Sequence, residues 1–495
     1  MKKLLSITLC LVMLLSLVAC STEKAPVATK DTTVGASEGG AAAQPASGVF
    51  MAGFGRVDIT PRDSVPMASY GDDRMSTGMY SYLEARSVVV KDPNGDMLVF
   101  AVGDVSWCPN FLGKVIRADV ASELNIPQNN IILSGTHTHG SVSTSRTDLP
   151  SVSKFNDQYI AGMKKAIMLA VEDLKPAEVY EGSVMTEHMN HVRRYFMDDG
   201  SLDGDNAYGT GTKRVAHETE ADGELQVMKF VREGGKDIVV TNFQAHPHLE
   251  GKTTNLSAQT VGTIRDAVEK EFDAHALHWQ GAAGNLNTHG SLEGEVPFEK
   301  SPAGERAYGE AMAKYIKTIY NNMNKVNTGY VQVREVVYTA KTNHVYDHML
   351  TQAMDVVAYF ESGNTAGQTA TYAHQFKDEN GLRINSYYHA SRIVNNAKLG
   401  DFQDMILYAW SFGDVGGVVL PYEMFDTSGM QVKEGSPFAR TFIVGYSWPS
   451  YVGYIPTAEG YANGGYEADN STFAPGTAEE MVAHYLNMLN DMHGE

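Results

Sequence analysis

Cysteine is nearly absent from this 495-residue chain, which has only Cys10, Cys20 and Cys108. The first two fall in or at the end of an N-terminal apolar run, so Cys108 is alone in the remainder. One thiol can make neither an internal disulfide nor a cysteine-based zinc site. Any metal must therefore be held by His, carboxylate or Tyr. Basic charge is also scarce. Lys and Arg number 39 against 59 Asp and Glu, a formal net charge of −20. An acidic surface argues against nucleic acid or an anionic membrane surface as an electrostatic partner. Several catalytic signatures are missing too. There is no His-Glu-x-x-His, and Gly445-Tyr446-Ser447-Trp448-Pro449 lacks the last glycine of a nucleophile elbow. The glycines at Gly204 and Gly209 are not followed by the Lys-Ser/Thr of a phosphate loop. Serine-hydrolase and NTPase readings thus have no motif to stand on.

The amino terminus has the layout of a targeting segment. Lys2 and Lys3 precede an apolar core from Leu4 to Val18, and Leu17-Val18-Ala19-Cys20 ends it. The run is too short, and too soon followed by polar residues, for a membrane-spanning helix. Its ending resembles a bacterial lipobox. Residues 1–19 are therefore expected to be a lipoprotein signal peptide, with Cys20 lipidated after cleavage. Residues 20–49 are rich in Ala, Ser, Thr, Gly and Lys without apolar periodicity, and are expected to be a tether. Loss of Lys2 and Lys3 takes the formal charge from −20 to −22. The expected location is extracytoplasmic, lipid-anchored to a bacterial membrane through Cys20. Residues 50–495 are ample for a sizeable core.

Within that part, Gly55 to Pro61 predicts a first short strand. Val88–Val90 and Met97–Val102 predict a hairpin about an Asn94-Gly95 turn. Leu112, Val115, Ile116, Val120 and Leu124 fall on one helical face, as do Ile160, Met163, Ile167, Val171 and Leu174. Further hairpins are predicted over 225–243 and 405–420, and helices over 261–272 and 308–323. Thr477 with Glu480 predicts a capping box. Residues 325–400 give the weakest pattern. Hairpins mixed with crossover helices predict an α/β fold with a mixed sheet and flanking helices.

The most informative stretch is Asn130-Ile131-Ile132-Leu133-Ser134-Gly135-Thr136-His137-Thr138-His139. A short β-branched run ends abruptly in small polar residues and two histidines. That is the pattern of a buried strand opening into a site loop. On an extended segment, residues two apart point the same way. A second run ends at His246 and His248, and a third at Glu423. Two histidines and a carboxylate with an open position form a hydrolytic zinc constellation. Taken singly, Glu423 would be a charged strand end. His248, His275, His278 and His289 are expected to be surface or packing histidines, and Cys108 a small buried apolar residue.

These residues resemble the catalytic domain of the neutral, non-lysosomal ceramidases. The resemblance rests on Gly55-Arg56-Val57-Asp58-Ile59-Thr60, the Thr136-His137-Thr138-His139 stretch, Phe243-Gln244-Ala245-His246-Pro247 and Gly284-Asn285-Leu286. It continues through Pro421-Tyr422-Glu423-Met424-Phe425, Tyr451-Val452-Gly453-Tyr454-Ile455-Pro456-Thr457 and Tyr466-Glu467-Ala468. The family comprises zinc-dependent amidases that cleave the N-acyl bond of ceramide. The resemblance implies one zinc ion held by His137, His246, Glu423 and Tyr454. It places His139 beside the bound water and makes Arg193, adjacent to Arg194, the match to the family's site arginine. The implied substrate is ceramide or a related N-acyl lipid or amide.

Three features depart from the family pattern. Asn287 stands where the family has a serine beside the zinc, and an amide cannot act as a hydroxyl nucleophile. Gly140 follows Thr-His-Thr-His where serine is usual. Few residues follow the last of these motifs, so the family's carboxy-terminal immunoglobulin-like domain is not expected in this sequence. The expected role for the Asn287 amide, with Arg193, is to face a developing oxyanion. Asn287 also leaves room for two other readings, hydrolysis of a different amide or ester, and an inactive lipoprotein that holds a lipid or glycan.

Overall fold

The computed structural model describes residues 48–494 except 71–73, 205–208, 293, 296–297, 364–370, 378–381 and 452. The signal segment, Cys20 and the tether up to residue 47 lie outside the described residues.

The expected mixed sheet is present, with nine strands. Along it lie His275–Gln280, Ile238–Phe243, Glu224–Arg232, Lys175–Met185, Met51–Asp58, Glu84–Lys91, Met97–Gly103 and Ile131–Gly135, with short Asn324–Lys325 also paired to Lys175–Met185. Neighbours run antiparallel except for the outermost pair at each edge, which is parallel. A parallel pair needs a crossover. The helices Asn110–Leu124 and Gln259–Phe272 supply the two crossovers.

Alternation along the strands assigns the two faces. Val88, Val90, Leu98, Phe100 and Ile132 point to one side, where they meet Trp410, Phe412 and Phe442 of a second sheet. That sheet has four strands in the order Val331–Lys341, Phe402–Phe412, Val415–Val419, Arg440–Val444. The intervening Val89, Val99, Ala101, Ile131 and Leu133 point the other way, onto helix Pro150–Glu172. Both faces of Ile131–Gly135 are therefore covered, which is why it reads as an unbroken apolar run. Helix Thr477–Gly494 covers the outer face of the four-stranded sheet through Met481, Tyr485, Met488 and Leu489. The layers run helix, sheet, sheet, helix. Among the described residues no helix is long and apolar enough to cross a membrane.

Some sequence expectations need correcting. The helix expected from Ile160 begins at Pro150, and Val115 is exposed on its helix. The capping box does not form. Thr477 Oγ1 donates to the Ala474 carbonyl, and the Glu480 carboxylate instead accepts from Tyr338. The obscure region 325–400 contains Val331–Lys341, which pairs along its whole length with Phe402–Phe412. Nine of its eleven residues are part-buried or exposed, so the apolar alternation that marks a strand is faint.

One segment ties the two edges of the large sheet together. Gly445 N–H donates to the Gln280 carbonyl, Gly135 N–H to Tyr446, and Trp448 N–H to Leu133. A Cβ on residue 445 would lie 2.5 Å from the Gly281 carbonyl oxygen, so only glycine allows this approach. The carboxyl ends of the strands leading to His137 and to His246 are thereby held at one place.

Candidate metal centre and active site

The chain leaves strand Ile131–Gly135 and turns at His137, whose φ is +60°. The two histidines of this stretch do converge, but not as residues two apart on an extended segment. The left-handed turn at His137 sets the rings with centroids 5.1 Å and planes 75° apart. At the other edge, His246 lies just past strand Ile238–Phe243.

Backbone carbonyls orient both rings. His137 Nδ1 lies 2.9 Å from the Ser106 oxygen, and His246 Nδ1 lies 2.9 Å from those of Ala283 and Leu286. These acceptors assign the N–H to Nδ1 and leave the Nε2 lone pairs for a ligand, the usual support for a metal-bound histidine. Both Nε2 atoms approach Glu423 Oε2, at 3.5 Å from His137 and 3.3 Å from His246. Among the described residues that oxygen has no hydrogen-bond donor. Three buried acceptor atoms therefore face one another, an arrangement that a cation would resolve. Gly284 makes the approach possible. Its N–H donates to the Met424 carbonyl, and a Cβ there would lie 2.6 Å from the Glu423 backbone carbonyl oxygen.

Tyr454 is the register partner of Glu423 in a two-residue parallel ladder. Its buried hydroxyl accepts from Arg193 Nη2 at 3.1 Å. Arg193 is held in turn by Glu467, Nε to Oε1 at 2.8 Å. Arg194 turns away to Glu218, Glu467 and the Gly460 carbonyl. The geometry thus brings Arg193, rather than its neighbour, to the candidate ligands.

Burial sets the protonation of the cluster. It pushes the His137 imidazole down to about 3, with Glu423 opposing. It holds His246 well below the ordinary imidazole range, helped by the Arg193 charge. It also raises the Glu423 carboxyl and the Tyr454 phenol. Neutral imidazoles are what a metal requires. The raised acids express burial of negative charge, which a cation would offset.

His139 differs from the other two histidines. Its backbone N–H donates to Gln259 Oε1 at 2.8 Å, but its ring Nδ1 is buried without a partner among the described residues. Its Nε2 lies 3.5 Å from His137 Nε2, and the three rings offer nitrogens within 4.8 Å of one another. His139 lacks the carbonyl anchor that orients the other two rings. A cleft of about 500 Å³ opens over the cluster, lined by His137, His139, Glu423, Tyr454, Tyr70 and Tyr466 among others. That volume is within the usual range for small-molecule sites. His246, Arg193 and Asn287 are not among its lining residues. Asn287 sits behind His246, to which it is bridged in parallel fashion, with its Oδ1 buried and unpartnered among the described residues.

Other residues of the site were not visible in the sequence. Tyr446 stacks on His137 with centroids 3.9 Å and planes 19° apart. His248, expected only to be a surface or packing residue, packs inside the cluster, 4.6 Å from the His139 ring. The second histidine of His246-Pro247-His248 was the available signal for it. For Tyr446 and Gln259 there was none. His275 stacks on Phe54 and His278 bonds Thr241, both packing roles as expected. Cys108 is buried in the core.

Comparisons with known proteins identify the family and the fold. A family model described as neutral/alkaline non-lysosomal ceramidase, N-terminal, matches residues 50–369. A neutral ceramidase of Oryza sativa subsp. japonica is 24% identical over 262 residues, covering 49% of this chain and 32% of that protein. One of Drosophila melanogaster is 31% identical over 254 residues, covering 48% and 34%. The chain thus spans about a third of the length of these curated relatives. Among solved structures, a ceramidase complexed with C2 superposes with a TM-score of 0.67 at 16% identity, over 90% of this chain and 75% of that one. The neutral ceramidase of Pseudomonas aeruginosa gives 0.65 at 17% identity, over 89% and 74%. These two establish the fold. With the family model covering more than half of its length, the chain belongs to the neutral/alkaline non-lysosomal ceramidase family.

Proposed function

We propose that this protein is a zinc-dependent amidohydrolase that cleaves the N-acyl bond of ceramide or a related N-acyl lipid. The observation that carries the reading is the convergence of His137 Nε2 and His246 Nε2 on the unpartnered Glu423 Oε2. His137, His246, Glu423 and Tyr454 would hold one zinc ion. Bound there, zinc supplies a water acidic enough to attack at neutral pH and a Lewis acid for the amide carbonyl. The nitrogen-and-oxygen donor set suits zinc, and no cysteine is needed.

The chain's own residues do the rest. His139, neutral and facing the cleft, takes the proton of the attacking water and returns it to the leaving amine. Arg193 is fixed by Glu467, and it orients the Tyr454 hydroxyl. Its influence on the developing oxyanion therefore runs through Tyr454 rather than by direct contact from the cleft wall. Asn287 braces the His246 segment from behind. The Tyr70 and Tyr466 rings offer surfaces for an acyl chain at the cleft. The N-terminal segment, as lipidated Cys20 and a tether, would place this domain on the outer side of a bacterial membrane, where lipid substrates are at hand.

Zinc content and amide hydrolysis test the reading together. After dialysis, the His246→Ala variant should lack a zinc that the wild-type protein keeps. Its hydrolysis of a short-chain fluorogenic ceramide should fall by orders of magnitude. A variant retaining half the wild-type activity would sink the scheme. Asn287 is the one observation that favours a different amide or ester as substrate. A gain of ceramide cleavage in Asn287→Ser, with loss on other amides, would mark that position as the discriminator.

A further inference from the structure

A second set of metal-ligating side chains lies on the far side of Asn287. The short strand His191–Val192 pairs antiparallel with Leu286–Asn287, with His191 opposite Asn287. His191 is 5% exposed, and its Nε2 has no partner among the described residues. His217, at the end of strand Arg214–His217, places Nε2 2.7 Å from Glu295 Oε1 and Nδ1 against the Val192 carbonyl. His191 Nδ1 lies 4.0 Å from the same Glu295 oxygen. Glu295 is itself aimed, because its other oxygen accepts from the Leu292 N–H at 2.8 Å. One ligand atom from each of the three falls within 4.8 Å of the other two.

The arrangement repeats the logic found at Glu423. A backbone carbonyl takes the histidine Nδ1–H, Nε2 faces a carboxylate oxygen, and a second histidine stands beside it with a nitrogen unsatisfied. If His217 donates from Nδ1, its Nε2 lone pair would face Glu295 Oε1 at 2.7 Å, and a cation bound by both would spread the two atoms to about 3.3 Å. Burial keeps His191 neutral, so its ring can offer a lone pair. An ion pair of His217 with Glu295 would account for those two residues but would leave the His191 nitrogen desolvated without return. A cation held by one ring nitrogen of each histidine and by Glu295 would draw all three into a single set.

We propose that His191, His217 and Glu295 form a second, structural zinc site, separate from the candidate catalytic one. Two histidines and a carboxylate are a zinc donor set, with water completing the tetrahedron. The three ligands come from three separate stretches of chain. His191 lies two residues before Arg193, and Glu295 lies on the loop that follows Asn287. The ion would clamp the Arg193 segment to that loop, fixing the wall behind the active site without touching substrate.

The test is a zinc count on the metal-stripped full chain, titrated against a chromophoric chelator of micromolar affinity. Wild type should take two equivalents, His217→Ala one, His246→Ala one, and the double variant none. Glu295→Gln, a milder change, should also lose one. A single wild-type equivalent that persists in His217→Ala and Glu295→Gln but vanishes in His246→Ala would overturn this proposal and leave the catalytic site standing. A single equivalent with the opposite pattern would support this site and overturn the catalytic one. In His246→Ala, zinc should slow amide exchange over residues 188–195, and no slowing would count against the clamp.

Discussion

Replacing Glu467 with Gln should damage this protein more than any exposed charge change, and the structure says by how much. Glu467 accepts from Arg193 Nε and from Arg194 Nη1, each at 2.8 Å. Arg194 also binds Glu218, and the side chains of all four residues are at most 4% exposed. Two arginines and two glutamates are balanced. The Gln variant leaves an excess positive charge sealed from water. Breaking a buried pair from one side costs about 3–5 kcal/mol. Burial alone would raise the Glu467 carboxyl, but the two arginines outweigh it and hold it below its ordinary value. A depressed carboxyl stabilises the fold above its unfolded pKa and loses that contribution as pH falls through the folded one. The deficit of the variant should therefore be complete at pH 7 and shrink only in acid, below about pH 4. Urea unfolding followed by tryptophan fluorescence measures it. Glu178→Gln is the control, because the Glu178–Lys325 pair is 53% and 58% exposed and solvent screens it. Amide hydrolysis should also fall by about 10–100-fold, because Arg193 loses the carboxylate that aims it at Tyr454. If Glu467→Gln is no less stable than Glu178→Gln, the network does not hold Arg193 and the assigned chain from Glu467 to Tyr454 is wrong.

Tyr446 offers a second test. Its hydroxyl is buried without a partner among the described residues, so Tyr446→Phe should keep zinc affinity and gain up to about 1 kcal/mol of stability. Tyr446→Ala removes the ring stacked on His137 and should cost about 3–5 kcal/mol. A tenfold loss of zinc affinity in the Phe variant would mean that the hydroxyl is engaged after all. His278 governs part of the acid response. Burial pushes its imidazole down to about 3, against about 6.5 in an unfolded chain, so on acidification the unfolded state takes the proton first. Stability should fall as pH drops below about 6.5, by about 2 kcal/mol at pH 5 from this residue alone. In metal-free protein His278→Asn should flatten the pH dependence by that amount, and an unchanged slope would refute the assignment.

What could be read from the sequence was whatever is local. The strand ending at Gly135 showed itself because both of its faces are covered, and each covered face demands apolar residues. Strand Val331–Lys341, with most residues part-buried or exposed, carried too little alternation to be seen. The ligand-bearing segments were legible because histidines at the ends of apolar runs are conspicuous, and family resemblance supplied Tyr454, which no spacing rule would select. The orientation of those ligands was not legible. It depends on the carbonyls of Ser106, Ala283 and Leu286, on the approach of Gly284 to Glu423, and on Tyr446 stacking across the edge of the sheet. None of these has a side-chain signature, because the work is done by backbone atoms or by contacts between residues hundreds of positions apart. The left-handed turn at His137 is the clearest case. Its i, i+2 spacing suggested the correct pair of rings for the wrong geometric reason. The same limit applies to His191, His217 and Glu295, whose separate positions in the chain conceal a cluster that only the closed loops assemble. A scan for ligand spacing would miss this second cluster, whereas a search for imidazole nitrogens close to a carboxylate oxygen finds both groups.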